Sequence, residues 1–131
     1  MRRRGLERCL SKVEIPRCAR NDDVLLIPIP FTDLSSQKRR PVIVVSNDAY
    51  NRSTADMVVV AMTSNQTPAD YSFTITSSDL AQGTLNRPSR VRVDKIYTLS
   101  QSIVVKTFGR VNASVLDRIR GTLQDLTASR A

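Results

Sequence analysis

Histidine and tryptophan are absent from the 131-residue chain, and only two cysteines, Cys9 and Cys18, are present. Without histidine there can be no catalysis by paired imidazoles, and the commonest metal ligand is missing. A zinc site needs about four cysteine, histidine or carboxylate ligands, which two thiols do not predict. We therefore expect no metal site and no cofactor. The two thiols are expected to be free rather than joined in a disulfide.

Long apolar runs are also lacking. No segment approaches the roughly 18 consecutive apolar residues that span a membrane. The N-terminus has no apolar stretch that resembles a secretory signal. Hydrophobic residues make up 40% of the chain, which suffices for one modest core in a single domain. These features predict a cytoplasmic protein that does not bind membranes.

Basic residues are unevenly distributed along the chain. The net charge is +8, and residues 1–20 contribute seven basic and two acidic side chains, or +5, which leaves +3 for the remainder. A basic protein favours polyanionic partners, because phosphates release counterions when they are neutralised. Residues 1–20 show no clean hydrophobic period and are interpreted as a disordered basic extension. Residues 21–131 are interpreted as the folded domain.

The hydrophobic pattern after this extension is typical of short strands followed by one helix. A helical turn is expected at Asp79–Gln82, and the connection 47–55 is expected to consist of turns. Apolar residues recur at helical spacing after Asn112, which can cap the helix. About six strands are predicted, at Val24–Pro30, Pro41–Ser46, Met57–Met62, Tyr71–Thr76, Val91–Asp94 and Ile103–Phe108. This order predicts a mainly β fold, a small antiparallel barrel with a C-terminal α-helix on its open face.

Several sequence segments carry a family resemblance through their order and spacing. They are Asp22–Val24 leading through Pro28 to Phe31–Ser35, Arg39–Asn47 followed by Tyr50-Asn51, Val60–Asn65, Ser89–Ile96, and Thr98-Leu99 with the later Gly109–Val111. Together they resemble the MazF/PemK toxins of type II toxin–antitoxin systems over roughly residues 22–126. The chain departs from that family at Asp22, where glycine is usual. It also lacks the loop histidine that some members carry.

This resemblance implies a fold, an activity and partners. The fold would be the SH3-like barrel shared by MazF, PemK and CcdB, assembled as a homodimer. The activity would be that of a metal-independent endoribonuclease acting on single-stranded RNA such as mRNA. Attack by the 2′-OH would leave a 2′,3′-cyclic phosphate and a 5′-OH end. A cognate acidic antitoxin would control this activity. The family resemblance also implies binding to nucleic acid in general, RNA or DNA.

Four residues are candidates for the catalytic site. Arg40 stands where a polar loop enters a buried strand, and its guanidinium suits two phosphate oxygens. Thr63 ends another buried strand and offers a hydroxyl donor. Arg92 and Asp94 are two residues apart on a strand and so share a face. The resemblance makes them acid and base, but neighbouring arginines would lower the pKa of Asp94 below about 3.9. We therefore leave its role open between base and orienting group.

Polar residues beside these candidates predict contacts to RNA. They follow or precede the same strands and could bind phosphates or bases, although solvated loop positions and turns explain such residues equally well. The candidates for RNA binding are Lys38, Arg39, Ser64 and Asn65.

Two other functions remain open at the level of sequence. A gyrase poison of the CcdB type would share the fold, but its action depends on a C-terminal end containing tryptophan, and this chain ends Ser129-Arg130-Ala131. A small barrel that binds nucleic acid without catalysis is compatible with Asp22 and with the missing histidine. Cleavage of a long RNA in EDTA would separate these functions from that of the toxin.

Overall fold

The computed structural model of the chain describes residues 18–28 and 39–129. Single 3-10 turns lie at Ser77–Asp79 and Gln101–Ile103. In these ranges no helix has the length and apolar character needed to cross a membrane. The strands and helices are β1 (Asp23–Pro28), β2 (Arg39–Val44), α1 (Asp48–Ser53), β3 (Asp56–Thr63), β4 (Ser72–Ile75), β5 (Leu80–Gln82), β6 (Ser89–Ser100), β7 (Lys106–Val111) and α2 (Ala113–Thr127).

The strands form one antiparallel sheet in the order β4-β6-β3-β2-β1-β7-β5. The sheet curls into a half-barrel, and α2 packs against one of its faces. Asn112 caps α2 as predicted, because its Oδ1 accepts a hydrogen bond of 3.0 Å from Val115 N. The mainly β fold with a C-terminal helix is therefore confirmed.

Three local predictions of secondary structure were wrong. Asp79–Gln82 is not a helical turn: the 3-10 turn ends at Asp79, and Leu80–Gln82 pairs with β7 as a strand. The connection 47–55 contains α1, whose first turn is capped by Asn47 Oδ1, 2.8 Å from Tyr50 N. Strand β7 begins later than predicted, because Gln101–Ile103 forms a turn capped by Ser100.

The sheet separates two hydrophobic cores, one on each face. Side chains from α2, with Val24 and the alternating residues of neighbouring strands, fill the first core. The opposite face carries the second core, with half-buried Tyr97, Leu99, Ile103 and Val104 at its margin. The fully buried members of the first core include Val24, Ile43, Val60, Met62, Ile75, Val91, Val93, Val111 and Ile119, and those of the second include Leu25, Ile27, Val42, Val44, Met57 and Val59.

Strand β6 changes register against β3 through a bulge at residues 93–95. Ala61 pairs with Arg92, but Val60 pairs with Ile96, so three residues of β6 lie between consecutive partners. An odd number of extra residues reverses the alternation of side chains along the strand. Even-numbered positions before the bulge and odd-numbered positions after it consequently face the same way, as Arg92 and Tyr97 do.

The residues just before β1 are attached to the domain. Ala19 is buried, and its N–H donates to Gln101 Oε1 at 2.8 Å. The amide of Gln101 in turn donates to Asn51 O at 2.8 Å. These contacts begin two residues ahead of the domain boundary expected at residue 21. Cys18 is disulfide-bonded, so the free thiol expected there is wrong, whereas Cys9 and the rest of segment 1–17 lie outside the described residues.

Asp22 occupies a left-handed backbone conformation, with φ of +86°. Its N–H donates to Val44 O, and its C=O accepts from Val111 N, both at 3.0 Å. Its carboxylate forms a two-point ion pair with Arg110, with Nε and Nη2 each 2.9 Å from an oxygen. This conformation explains why glycine suits the position. Aspartate adopts it and adds a link between β1 and β7.

Replacing Asp22 separates these two effects. Alanine loses the ion pair and keeps a conformation that disfavours a Cβ, so we expect Asp22→Ala to lower the free energy of unfolding by about 1–2 kcal/mol. Asp22→Gly loses the same pair without that strain and should exceed the alanine variant by about 1 kcal/mol. Urea unfolding of both variants measures the difference. Equal stability of the two would show that backbone strain is negligible here.

Candidate active site

An open cavity of about 520 Å³ lies on the sheet face opposite α2, at one edge of the second core. Strands β2, β3 and β6 and the segment between β3 and β4 surround it. Its lining combines cationic, hydroxyl and small apolar side chains, namely Arg40, Ala61, Met62, Thr63, Asn65, Thr67, Pro68, Ala69, Arg90, Arg92, Lys95 and Tyr97.

Strand register brings the polar side chains of the cavity together. Val42 and Arg92 flank Ala61 as cross-strand partners, which places all three on one face. Arg90 is the partner of Thr63 one step further along. Arg40 lies two residues before Val42 on β2 and so points to that same face. Three arginines and a threonine from three strands, β2, β3 and β6, therefore converge above the floor formed by Ala61.

Arg92 and Asp94 form a two-point ion pair at the bulge. Arg92 Nε lies 2.9 Å from Oδ1 and Nη2 lies 2.8 Å from Oδ2, with the side chains 27% and 30% exposed. The hydrogen bonds from Arg92 hold the pKa of Asp94 below its ordinary value, and those to Asp94 raise the pKa of Arg92. Asp94 is therefore an ionised acceptor that fixes the guanidinium, as the sequence argument on its pKa anticipated.

Tyr97 brings a phenol to the same cavity. Burial raises the pKa of its hydroxyl, and the charge of Asp94 adds to this effect, while Arg40 and Arg92 partly offset it. The hydroxyl therefore remains protonated at neutral pH and keeps its capacity to donate a hydrogen bond. The charges of Arg40, Arg92 and Asp94 all act on this hydroxyl, so Tyr97 lies close to the proposed site residues.

Positive charge dominates the lining. Arg40, Arg90, Arg92 and Lys95 contribute four cations, and Asp94, which is bonded to Arg92, offsets one of them. Counted over the described residues, this concave surface carries more positive than negative charge and so concentrates polyanions from solution. Guanidinium groups in such a cavity can bind phosphate oxygens in pairs.

The structure brings together most of the residues singled out in the sequence. Arg40, Thr63, Asn65 and Arg92 line the cavity, and Asp94 joins them through Arg92. Thr63 Oγ1 also accepts from Asn65 N at 3.1 Å, so the turn-forming role expected for such residues is present too.

The remaining candidates lie outside the cavity lining. Ser64 and Arg39 are exposed and do not line it. Lys38 lies outside the described residues. The cavity therefore gives no support to an RNA-binding role for Ser64 or Arg39.

Three cationic or aromatic residues of the cavity were not among the candidates: Arg90, Lys95 and Tyr97. Arg90 could have been found, because it shares with Arg92 the alternation of one strand. Tyr97 could not, since strict alternation puts it on the opposite face from Arg92. Only the bulge at 93–95, which depends on pairing with β3, turns it toward the cavity.

Comparisons with known proteins give a consistent family and fold. Residues 20–127 match the family described as PemK-like, MazF-like toxin of type II toxin–antitoxin system. No curated protein matches the chain.

Solved structures resemble the chain over most of its length. An endoribonuclease in complex with its cognate antitoxin from Mycobacterial species is 23% identical, with a TM-score of 0.69, covering 86% of this chain and 99% of that one. A second mycobacterial endoribonuclease is 26% identical, with a TM-score of 0.64 and coverage of 82% and 88%. MazE–MazF (Form-II) from Deinococcus radiodurans is 21% identical, with a TM-score of 0.65 and coverage of 86% and 98%.

The ion pair at the bulge should make a pH-dependent contribution to stability. Because the folded pKa of Asp94 is lowered, its contribution is complete above the unfolded value of about 3.9 and is lost as pH falls through the folded value. We expect Asp94→Asn to lower the free energy of unfolding by less than about 1 kcal/mol at pH 7, and this difference should shrink below pH 4. Denaturant unfolding between pH 3 and pH 7 measures it, and a difference that grows on acidification would contradict the assignment.

Proposed function

Because the chain belongs to the PemK-like, MazF-like family of toxins of type II toxin–antitoxin systems, we propose that it is an endoribonuclease that cleaves single-stranded RNA, such as mRNA, without a metal ion. The observation that carries this proposal is the convergence of Arg40, Thr63 and Arg92 on one face of the sheet. Structural neighbours named as endoribonucleases support it.

The proposed reaction uses the 2′-OH of RNA as the nucleophile. Its oxygen forms a bond to phosphorus while the bond from phosphorus to the 5′ oxygen breaks, leaving a 2′,3′-cyclic phosphate and a 5′-OH end. Negative charge builds up on the phosphate oxygens in the five-coordinate transition state. Donors already fixed in place stabilise that charge without reorganising. Arg40 and Arg92 would bind these oxygens, and Thr63 would donate its hydroxyl or position the sugar.

Asp94 is proposed as an orienting residue in this reaction. Its two oxygens each accept a bond from Arg92, so the guanidinium is held in one plane. Its lowered pKa makes it a weak proton acceptor at neutral pH. In this scheme the proton of the 2′-OH passes to water, and the 5′ oxygen receives one in return.

The partners proposed for the protein follow from the same charges. An antitoxin with an acidic segment would place carboxylates in the cavity beside Arg40 and Arg92 and so block RNA. The neighbours solved as toxin–antitoxin complexes support such a partner. Assembly as a homodimer and action in the cytoplasm, where mRNA is found, complete the proposal.

Replacing Arg40 tests the proposed chemistry. We expect the wild-type protein to cleave a long RNA in EDTA and to leave 5′-OH ends. Arg40→Ala should cleave on the order of 10²–10³ times more slowly, because it lacks a donor to the transition state. Its thermal unfolding should remain close to that of wild type, since Arg40 lies at the rim of the core. Bacteria that express Arg40→Ala should likewise grow without inhibition.

Arg39→Ala provides the matched control, because Arg39 precedes Arg40 on β2 but is exposed and outside the cavity lining. Arg39→Ala should weaken RNA binding at most several-fold and leave the rate at which bound RNA is cleaved unchanged. A folded Arg40→Ala protein with full activity would remove the site assignment. RNA that is bound but left intact by wild type would favour a non-catalytic binding domain, and trapped gyrase–DNA would favour a gyrase poison.

The pH dependence of cleavage tests the role of Asp94. The chain has no histidine, the pKa of Asp94 is lowered, and the pKa values of Arg92 and Tyr97 are raised. None of these three groups changes charge between about pH 5.5 and 8. Single-turnover cleavage of a short RNA should therefore rise only shallowly with 2′-OH ionisation. A bell-shaped profile centred near pH 6.5–7 would instead assign general-base catalysis to a carboxylate.

A further inference from the structure

Arg90 lines the cavity but has no role at the phosphate that is cleaved in the scheme above. It precedes Arg92 by two positions on β6, on the same face of the sheet. At about 3.3 Å per residue, the two backbone positions are about 6.6 Å apart. The cavity thus extends beyond Arg40 and Arg92 toward the segment between β3 and β4.

Hydrogen bonds hold the two guanidinium groups to different neighbours. Asp94 holds Arg92 on the side of the bulge. Arg90 Nη1 donates to Ser72 Oγ at 2.9 Å, and Nη2 lies 3.5 Å from Gln66 O. Gln66 also donates to Pro88 O at 3.1 Å, which places it beside the end of β6 that lies away from Arg92. The two guanidinium groups are therefore held by different partners on opposite sides of the cavity.

No acidic side chain in residues 18–28 or 39–129 forms an ion pair with Arg90. Among the described residues, side-chain ion pairs join Arg92, Arg110 and Arg120 to carboxylates, whereas the acceptors of Arg90 are a hydroxyl and a backbone carbonyl. A guanidinium has five N–H donors. Nε of Arg90 is buried, so the second N–H of each terminal nitrogen remains for a ligand. A half-buried cation with spare donors in an open cavity is suited to a second anionic group.

We propose that Arg90 binds the phosphate next to the scissile one, so that two consecutive phosphodiesters anchor the substrate. This inference rests on the proposed function and extends it to the length of RNA that the site requires. A stacked strand advances about 3.4 Å per nucleotide and an unstacked one advances further, which suits the spacing of the two arginines to neighbouring phosphates. A dinucleotide has only the scissile phosphate and lacks the second anchor.

The salt dependence of binding tests whether Arg90 contacts a phosphate. The probe is a 2′-O-methyl oligonucleotide selected as the tightest binder from a random pool, which cannot be cleaved. Affinity for a single strand decreases with salt, and a plot of log affinity against log salt becomes shallower by about 0.7 for each phosphate that the protein no longer neutralises. The slope is the steepness of this decrease. Arg90→Gln should lower the slope by that amount, and Arg90→Lys should retain it. Arg52→Gln, an exposed arginine on α1, should leave the slope unchanged.

Ser72→Ala separates phosphate binding from a purely structural role. It removes the hydroxyl that accepts from Arg90 but keeps the cation, so the slope should stay at the wild-type value. A slope that falls in Ser72→Ala as far as in Arg90→Gln would assign Arg90 to holding the segment before β4. An Arg90→Gln slope equal to that of Arg52→Gln would overturn the proposal directly.

Neutral linkages identify the phosphate. The same oligonucleotide is made with one methylphosphonate at a time, and Arg90→Gln and Arg92→Gln are compared with wild type on each. Each substitution should leave affinity unchanged only when the linkage that its arginine contacts is the neutral one. The linkages identified in this way for Arg90 and Arg92 should be adjacent. Loss at the same linkage would overturn the proposal. Failure of the protein to cleave natural RNA would overturn the proposed function instead, since this assay measures binding alone.

Discussion

The pairing of β3 with β2 and β6 is the constraint on which the site depends. Val42, Ala61 and Arg92 form one row across three strands, and Arg40, Thr63 and Arg90 are placed relative to that row. Alternate residues of the same strands enter the core beneath α2. The apolar packing that stabilises the sheet therefore also fixes which way the arginines point. A shift of one residue in this pairing would exchange the two faces.

The sequence was sufficient for the fold and for part of the site. Continuous β-branched runs in β2 and β3 and the spacing of apolar residues in α2 are strong local patterns, and the structure confirms them. Arg40 and Thr63 could be singled out because each stands at the end of such a run within a segment that resembles the family. The short strand β5 could not be predicted, since its conformation depends on pairing with β7 far along the chain. Tyr97 was missed for the same kind of reason, because its orientation depends on the bulge in β6.

Positive charge is concentrated at the cavity at a cost to stability. Four cationic side chains share one concave surface, and like charges in proximity destabilise the folded chain. Asp94 relieves part of this repulsion, because its carboxylate is bonded to Arg92. Arg40, Arg90 and Lys95 also line the cavity, and an acidic ligand bound there would relieve repulsion among these cations. Binding of such a ligand should therefore stabilise the folded protein in proportion to its affinity and concentration.

The ion pair between Asp22 and Arg110 also makes its two side chains unequally dispensable. Arg110 is compatible with loss of its partner, since a third of its side chain is exposed and water can solvate it. Asp22 without Arg110 would leave a largely buried carboxylate on a backbone conformation that already disfavours a side chain. The arginine can therefore be present without the aspartate at low cost, whereas loss of the arginine alone is the more destabilising change.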